Sequence, residues 1–189
     1  VEIDPTESSN IYGGIILINE MGGPIYIDKI EFIPLTPTTT PPITGTVPDG
    51  IYQIVTALNN SSVVEPWYGN IYPIYNHIQI SENVNANLQK WKFVYNASKK
   101  AYQIKFISED YVLTRMGSGH VTFKRISLDN DNDQYWKIRD TGDGYFYIMN
   151  LDINKALDVI GSNTSNGTHV EMWNFNAGTN QKFRLKVIN

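Results

Sequence analysis

The chain has 189 residues, a formal net charge of −4 and no cysteine, which admits one domain of ordinary size plus an appendage and excludes disulfides and cysteine-bound zinc or iron–sulfur centres. Its 15 Lys and Arg are scattered among 19 Asp and Glu, leaving no basic stripe to neutralise successive phosphates, so nucleic acid is a poor partner. No apolar run in the sequence approaches the roughly 20 residues of a membrane-spanning helix, and Val1 opens the chain without an initiator Met or a signal-like segment. It therefore reads as starting inside a longer precursor.

Helical periodicity is scarce, whereas short runs of Ile, Val, Tyr and Phe bounded by Gly, Asn and Asp recur throughout, which predicts an all-β protein. The first two predicted strands are Ile15 to Asn19 and Ile25 to Phe32, around a Glu-Met-Gly-Gly turn. Ile15 to Ile18 is apolar on both faces, as in a strand covered on both sides, and an isolated hairpin offers no such cover. From Leu35 to Pro48 the sequence LTPTTTPPITGTVP removes backbone donors and favours an extended chain. This divides the protein into residues 1–34, a linker over 35–48, and a larger domain over 49–189.

In that domain three openings resemble one another: Gly50-Ile51-Tyr52-Gln53-Ile54, Ala101-Tyr102-Gln103-Ile104 and Gly144-Tyr145-Phe146-Tyr147-Ile148. Each leads to a triplet of glutamine, any residue and a large aromatic: Gln89-Lys90-Trp91, Gln134-Tyr135-Trp136 and Gln181-Lys182-Phe183. Self-similar units of this length, each unable to bury its own apolar face, close on one another. Three of them make a β-trefoil. The six triplet residues Gln89, Trp91, Gln134, Trp136, Gln181 and Phe183 are expected to be scaffold, the aromatics anchoring the core. Each glutamine, two residues before its aromatic, is expected on the same strand face, satisfying buried backbone groups.

These triplets resemble the QxW signature of the ricin-type β-trefoil lectins over about Asp49 to Asn189. The last repeat, KALDVIGSNTSNGTHVEMWNFNAGTNQKFRL, is most similar. The resemblance implies a sugar pocket formed by Asp158 and Trp173, fifteen residues apart, with Asn180 in support. A carboxylate accepts hydrogen bonds from neighbouring hydroxyls while an indole face covers the apolar C–H patch of a pyranose. Glu171 stands where the family usually has glutamine, removing two donors and adding a negative charge near Asp158. Asp158 and Trp173 also have structural readings, a turn-capping Asp and a partly buried core Trp. The other repeats look degraded: in the first Val64 is aligned with Asp158 and Ser81 with Trp173, and in the second Leu113-Thr114 falls near the Asp position and Lys124 near the Trp position, so neither is expected to hold a family-type site. The first repeat carries a long aromatic stretch from Glu65 to Asn76, in which Trp67 and Tyr75 are candidates for a second site.

Upstream, Tyr26-Ile27-Asp28-Lys29-Ile30-Glu31-Phe32-Ile33-Pro34 resembles the last block of domain III of the three-domain Cry-type insecticidal δ-endotoxins. This implies the final strands of a jelly-roll β-sandwich, whose remaining domains would be partners, joined or nicked.

Asp129-Asn130-Asp131-Asn132-Asp133 resembles the opening of a calcium loop, but Gln134 occupies the sharp-turn glycine position and Asp140 the bidentate glutamate position; a solvated turn is the simpler reading. His77, His120 and His169 lie far apart in sequence and in no metal or triad motif. No catalytic residue, metal or cofactor is expected. The reading that results is a non-enzymatic lectin domain at the C-terminus of a pore-forming crystal toxin. It would be made in a bacterial parasporal crystal or secreted, act outside the cell, and bind cell-surface glycans of galactose or N-acetylgalactosamine type. The alternatives are the carbohydrate-binding module of a secreted glycoside hydrolase and a purely structural trefoil.

Overall fold

The computed structural model describes residues 47–67, 76–107, 110–117, 119–127 and 131–188. The predicted N-terminal strands, most of the linker, Tyr75, Asp129 and Asn130 lie outside them. The described residues are all-β, in three units of four strands. The first holds β1 (Gly50–Thr56), β2 (Val63–Trp67), β3 (His77–Ser81) and β4 (Trp91–Asn96). The second holds β5 (Ala101–Phe106), β6 (Tyr111–Met116), β7 (His120–Arg125) and β8 (Trp136–Asp140), and the third β9 (Phe146–Asn150), β10 (Lys155–Val159), β11 (Thr168–Asn174) and β12 (Phe183–Val187).

The outer strands of each unit close a six-stranded antiparallel barrel in the order β1, β4, β5, β8, β9, β12 and back to β1. The inner strands form hairpins β2–β3, β6–β7 and β10–β11, which cap it. This is the β-trefoil predicted from the triplets, and closure leaves the barrel no free edge. The cap departs from threefold symmetry, because β11 pairs with β3 through His169↔Gln79 and Val170↔Ile78. On β7, Thr122 Oγ1 donates instead to Asn76 O at 2.9 Å.

Equivalent residues of the three units fill the interior in layers. Trp91, Trp136 and Phe183 are fully buried, as are Ile54, Ile104 and Ile148 from the openings, and Val64, Leu113 and Leu157 from the hairpins. The indole N–H of Trp91 donates to Val64 O and that of Trp136 to Leu113 O. Phe183 has no donor to offer, so the third unit does without this bond.

The triplet glutamines do not share a strand face with their aromatics, contrary to the sequence expectation. Each ends a 3₁₀ turn, Asn87–Gln89, Asn132–Gln134 or Thr179–Gln181, and the strand begins only at the aromatic. From the turn the buried amide clamps the loop before it. Gln89 Oε1 accepts from the N–H of Val84 and Ala86 while its Nε2 donates to Glu82 O. Gln134 bridges Ser127 N–H and Arg125 O, and Gln181 bridges Asn176 N–H and Asn174 O. In each turn only the glutamine is buried; its amide, donor and acceptor on one short stem, pairs the backbone groups that face it.

Asp131, from the calcium-like run, accepts from Asp133 N–H and so caps the second of these turns. Asp133 meets Arg115, and Asn132 Nδ2 donates to Asp152 Oδ1. Among the described residues no three His, Asp or Glu side chains are arranged to hold a metal ion.

Candidate carbohydrate site

The third unit folds its LDV segment into β10 and pairs it with β11 in the register Asp158↔Glu171 and Ala156↔Trp173. Opposed residues of an antiparallel pair project to the same face, so the two carboxylates stand side by side with Trp173 one step along. After β10 the chain turns through Ile160–Ser162, with Gly161 at φ 63°, a left-handed conformation that a residue bearing a Cβ adopts at a cost. The result is a cleft of about 270 Å³ lined by Asp158, Ile160, Gly161, Glu171, Trp173, Asn176 and Asn180. The structure thus brings together all four residues expected in the pocket.

Asp158 is the buried floor of the cleft, only 5% exposed. Its Oδ1 accepts from Asn180 Nδ2 at 2.7 Å and its Oδ2 from Gln181 Nε2 at 2.9 Å. One amide on each oxygen fixes the carboxylate plane and leaves further lone pairs for a ligand's hydroxyls. Burial pushes the Asp158 carboxyl above the usual carboxylate range, and the amides of Gln181 and Asn180 pull it partway back. Gln181, expected to be scaffold, is therefore both: it holds the loop and orients the carboxylate.

Trp173 is 62% exposed, which removes the core reading of this residue, and it lines the cleft with Asp158 and Glu171. Glu171 is flanked by two imidazoles, His120 Nδ1 at 3.7 Å and His169 Nδ1 at 3.9 Å from Oε1. His77 in turn stacks on His169 with ring centroids 3.9 Å apart. All three histidines of the chain therefore converge beside the pocket, one from each unit. No sequence spacing signals this, because the cap assembles from strands more than forty residues apart.

The first unit requires a correction. Glu65, not Val64, takes the place of Asp158: it pairs with Gln79 across β2–β3, accepts from Gln79 Nε2 at 3.0 Å and from Gln89 Nε2 at 2.9 Å. This repeats the bond from Gln181 to Asp158. Eleven residues separate Ile54 from Glu65, against ten between Ile148 and Asp158, so an alignment counted from the opening falls one short. Val64 is a core residue, opposite Ile80. The carboxylate is thus retained, while Ser81 stands at the aromatic position, across from Val63 as Trp173 is across from Ala156. In the second unit Thr114, not Leu113, takes the place of Asp158, opposite Thr122, and Lys124 on β7 stands across from Val112 at the aromatic position. Trp67 is 39% exposed and stacks on His77 at 4.7 Å.

Comparison with known proteins agrees with this architecture. The Main hemagglutinin component type C of Clostridium botulinum C phage is 29% identical over 123 residues, which cover 58% of this chain and 43% of that protein. A mosquitocidal holotoxin of known structure superposes with a TM-score of 0.68 at 28% identity, covering 76% of this chain and 17% of the toxin. The Macrolepiota procera ricin B-like lectin, solved in complex with lactose, superposes with a TM-score of 0.61 at 22% identity, covering 76% of this chain and all of the lectin; at that identity the likeness shows the fold. The chain spans less than half the length of the hemagglutinin and about a sixth of the holotoxin. The family described as ricin-type beta-trefoil lectin domain-like matches residues 87–173 and again 132–188. These matches together take in more than half of the sequence, and with the closed trefoil and its clamped triplets they establish that the chain belongs to this family.

Proposed function

We infer that the trefoil is a non-enzymatic lectin domain that binds glycans through the cleft of its third unit. One observation carries this reading: Asp158, oriented by Asn180 and Gln181, lies beside an indole that is 62% exposed. The carboxylate accepts from vicinal hydroxyls and the indole covers the C–H face of the ring, so polar and apolar sides of a pyranose are recognised together. A galactose-type terminal sugar, as in the lactose complex of the Macrolepiota lectin, is the ligand to test first. A shallow site of this kind holds one sugar at roughly mM, about 4 kcal/mol, and attachment to a cell surface gains strength from several copies acting at once.

The domain serves as the glycan-targeting module of a larger toxin acting outside the cell that makes it. Two considerations support this reading: the resemblance of Tyr26 to Pro34 to the last block of the Cry-type toxins, and the likeness of the trefoil to a part of the much longer mosquitocidal holotoxin. A glycan array probed with the full 189-residue chain tests the lectin reading. Binding to galactose-terminated glycans, lost in Asp158→Ala and Trp173→Ala with unchanged circular dichroism, is the expected result; an array with no hit, or hits unaffected by both changes, overturns it. The reading frame upstream of Val1 tests the toxin context: pore-forming helices support it, and a catalytic domain with paired carboxylates contradicts it.

A further inference from the structure

The cleft does not end at Glu171. On β11 the alternate residues His169, Glu171 and Trp173 share the outer face, since Val170 and Met172 between them are buried. The pairing His169↔Gln79 carries that face onto β3, and Trp67↔His77 carries it onto β2. The rings of Trp67, His77 and His169 stack in a row, with centroids 4.7 and 3.9 Å apart and planes tilted by 23° and 24°. From Glu171 to Trp67 the face crosses two strand spacings, about 10 Å, and from Glu171 to Trp173 it runs about 7 Å along one strand. A single pyranose seated between Asp158 and Trp173 cannot reach Trp67.

We propose that the outer face formed by Glu171, His169, His77 and Trp67 is an extended subsite for a neutral oligosaccharide whose terminal sugar occupies the Asp158–Trp173 cleft. Three observations carry this. The face is continuous with the cleft, because Glu171 lines the cleft and its Oε1 lies 3.9 Å from His169 Nδ1. Its chemistry suits hydroxylated rings: imidazole nitrogens and an indole N–H hydrogen-bond with hydroxyls, and an exposed indole packs against C–H groups. Its named side chains include no Lys or Arg, while Glu171 adds a carboxylate to that of Asp158, so anionic sugars are disfavoured. The face crosses from the third unit into the first and depends on the β3–β11 pairing, the departure from threefold symmetry noted above, so neither other unit repeats it.

The inference rests on the lectin reading, and calorimetric titration of the full chain with galactose, lactose and a galactose-terminated neutral tetrasaccharide separates the two. The tetrasaccharide is expected to bind about tenfold tighter than galactose, one tenfold step in Kd being a modest addition of contact. Trp67→Ala and His77→Ala are each expected to remove most of that gain while leaving the Kd for galactose within twofold. Trp67 is exposed, and His77→Ala provides a second probe should Trp67→Ala fold poorly. Equal affinities for galactose and the tetrasaccharide, or a gain that survives both substitutions, overturns the extended subsite and leaves the lectin reading standing. No binding of any of the three sugars, together with no hit on the glycan array, overturns both.

Discussion

Replacing Asp158 by Asn keeps the shape of the cleft floor and removes its charge. In the protein each oxygen of Asp158 accepts one amide N–H, from Asn180 at 2.7 Å and Gln181 at 2.9 Å. An asparagine has only one acceptor oxygen, so its NH2 must face one of those two NH2 groups. Leaving a buried donor unpaired costs about 1–3 kcal/mol, partly offset because the neutral amide escapes the desolvation that now raises the carboxyl's pKa. For the ligand, losing hydrogen bonds to a charged acceptor removes about 1.5–3 kcal/mol, a weakening of roughly 10- to 150-fold. The pH dependence separates the two effects. Burial sets the folded-state value of Asp158 above the ordinary 3.8, so the folded protein keeps the proton over a range where the unfolded chain has lost it. Its contribution to stability is complete below pH 3.8 and is lost as pH rises through the folded value. Sugar binding runs oppositely, weakening as pH falls through that value and the carboxylate protonates. Thermal melts and galactose titrations across pH 3 to 8 measure both. Asp158→Asn should flatten the stability difference in the window above pH 3.8 and weaken binding above the folded value, the variant and the wild type converging as pH falls below it. A variant with the wild-type pH slope, or with galactose affinity above that value within threefold of wild type, would refute the assignment.

Trp173→Ala should leave the melting temperature nearly unchanged, within about 0.5 kcal/mol in stability because the side chain is exposed, yet abolish measurable monosaccharide binding by calorimetry. Gln89→Ala removes the partners of Val84 N–H, Ala86 N–H and Glu82 O; chemical denaturation should show a loss of about 1–3 kcal/mol with galactose affinity unaltered. Gln181→Ala should instead cost both stability and affinity, since it also frees Oδ2 of Asp158, and equal sugar affinity in the two variants would contradict its orienting role. Trp91→Phe copies the third unit into the first, leaving Val64 O without its indole donor; a destabilisation of about 1–3 kcal/mol is expected, measured by urea unfolding.

Much of this architecture is legible in the linear chain. The three glutamine–aromatic triplets and their apolar openings specify a threefold all-β domain, because each unit exposes an apolar face that only its copies can cover. The resemblance of the last repeat to the ricin-type lectins implied a pocket of Asp158, Trp173 and Asn180, and the structure brings these residues to one cleft because hairpin β10–β11 and the turn before β12 are local. The tertiary structure decided what depends on strands far apart. It moved the glutamines from the strand into the preceding turn, where the unpaired N–H groups of the loop required them. It placed Glu65 rather than Val64 beside Gln89, because one extra residue between Ile54 and the hairpin shifts the alternation of faces and only backbone pairing counts it. It also gathered His77, His120 and His169 around Glu171. That cluster exists because the cap packs one hairpin from each unit, a juxtaposition that no spacing along the chain encodes.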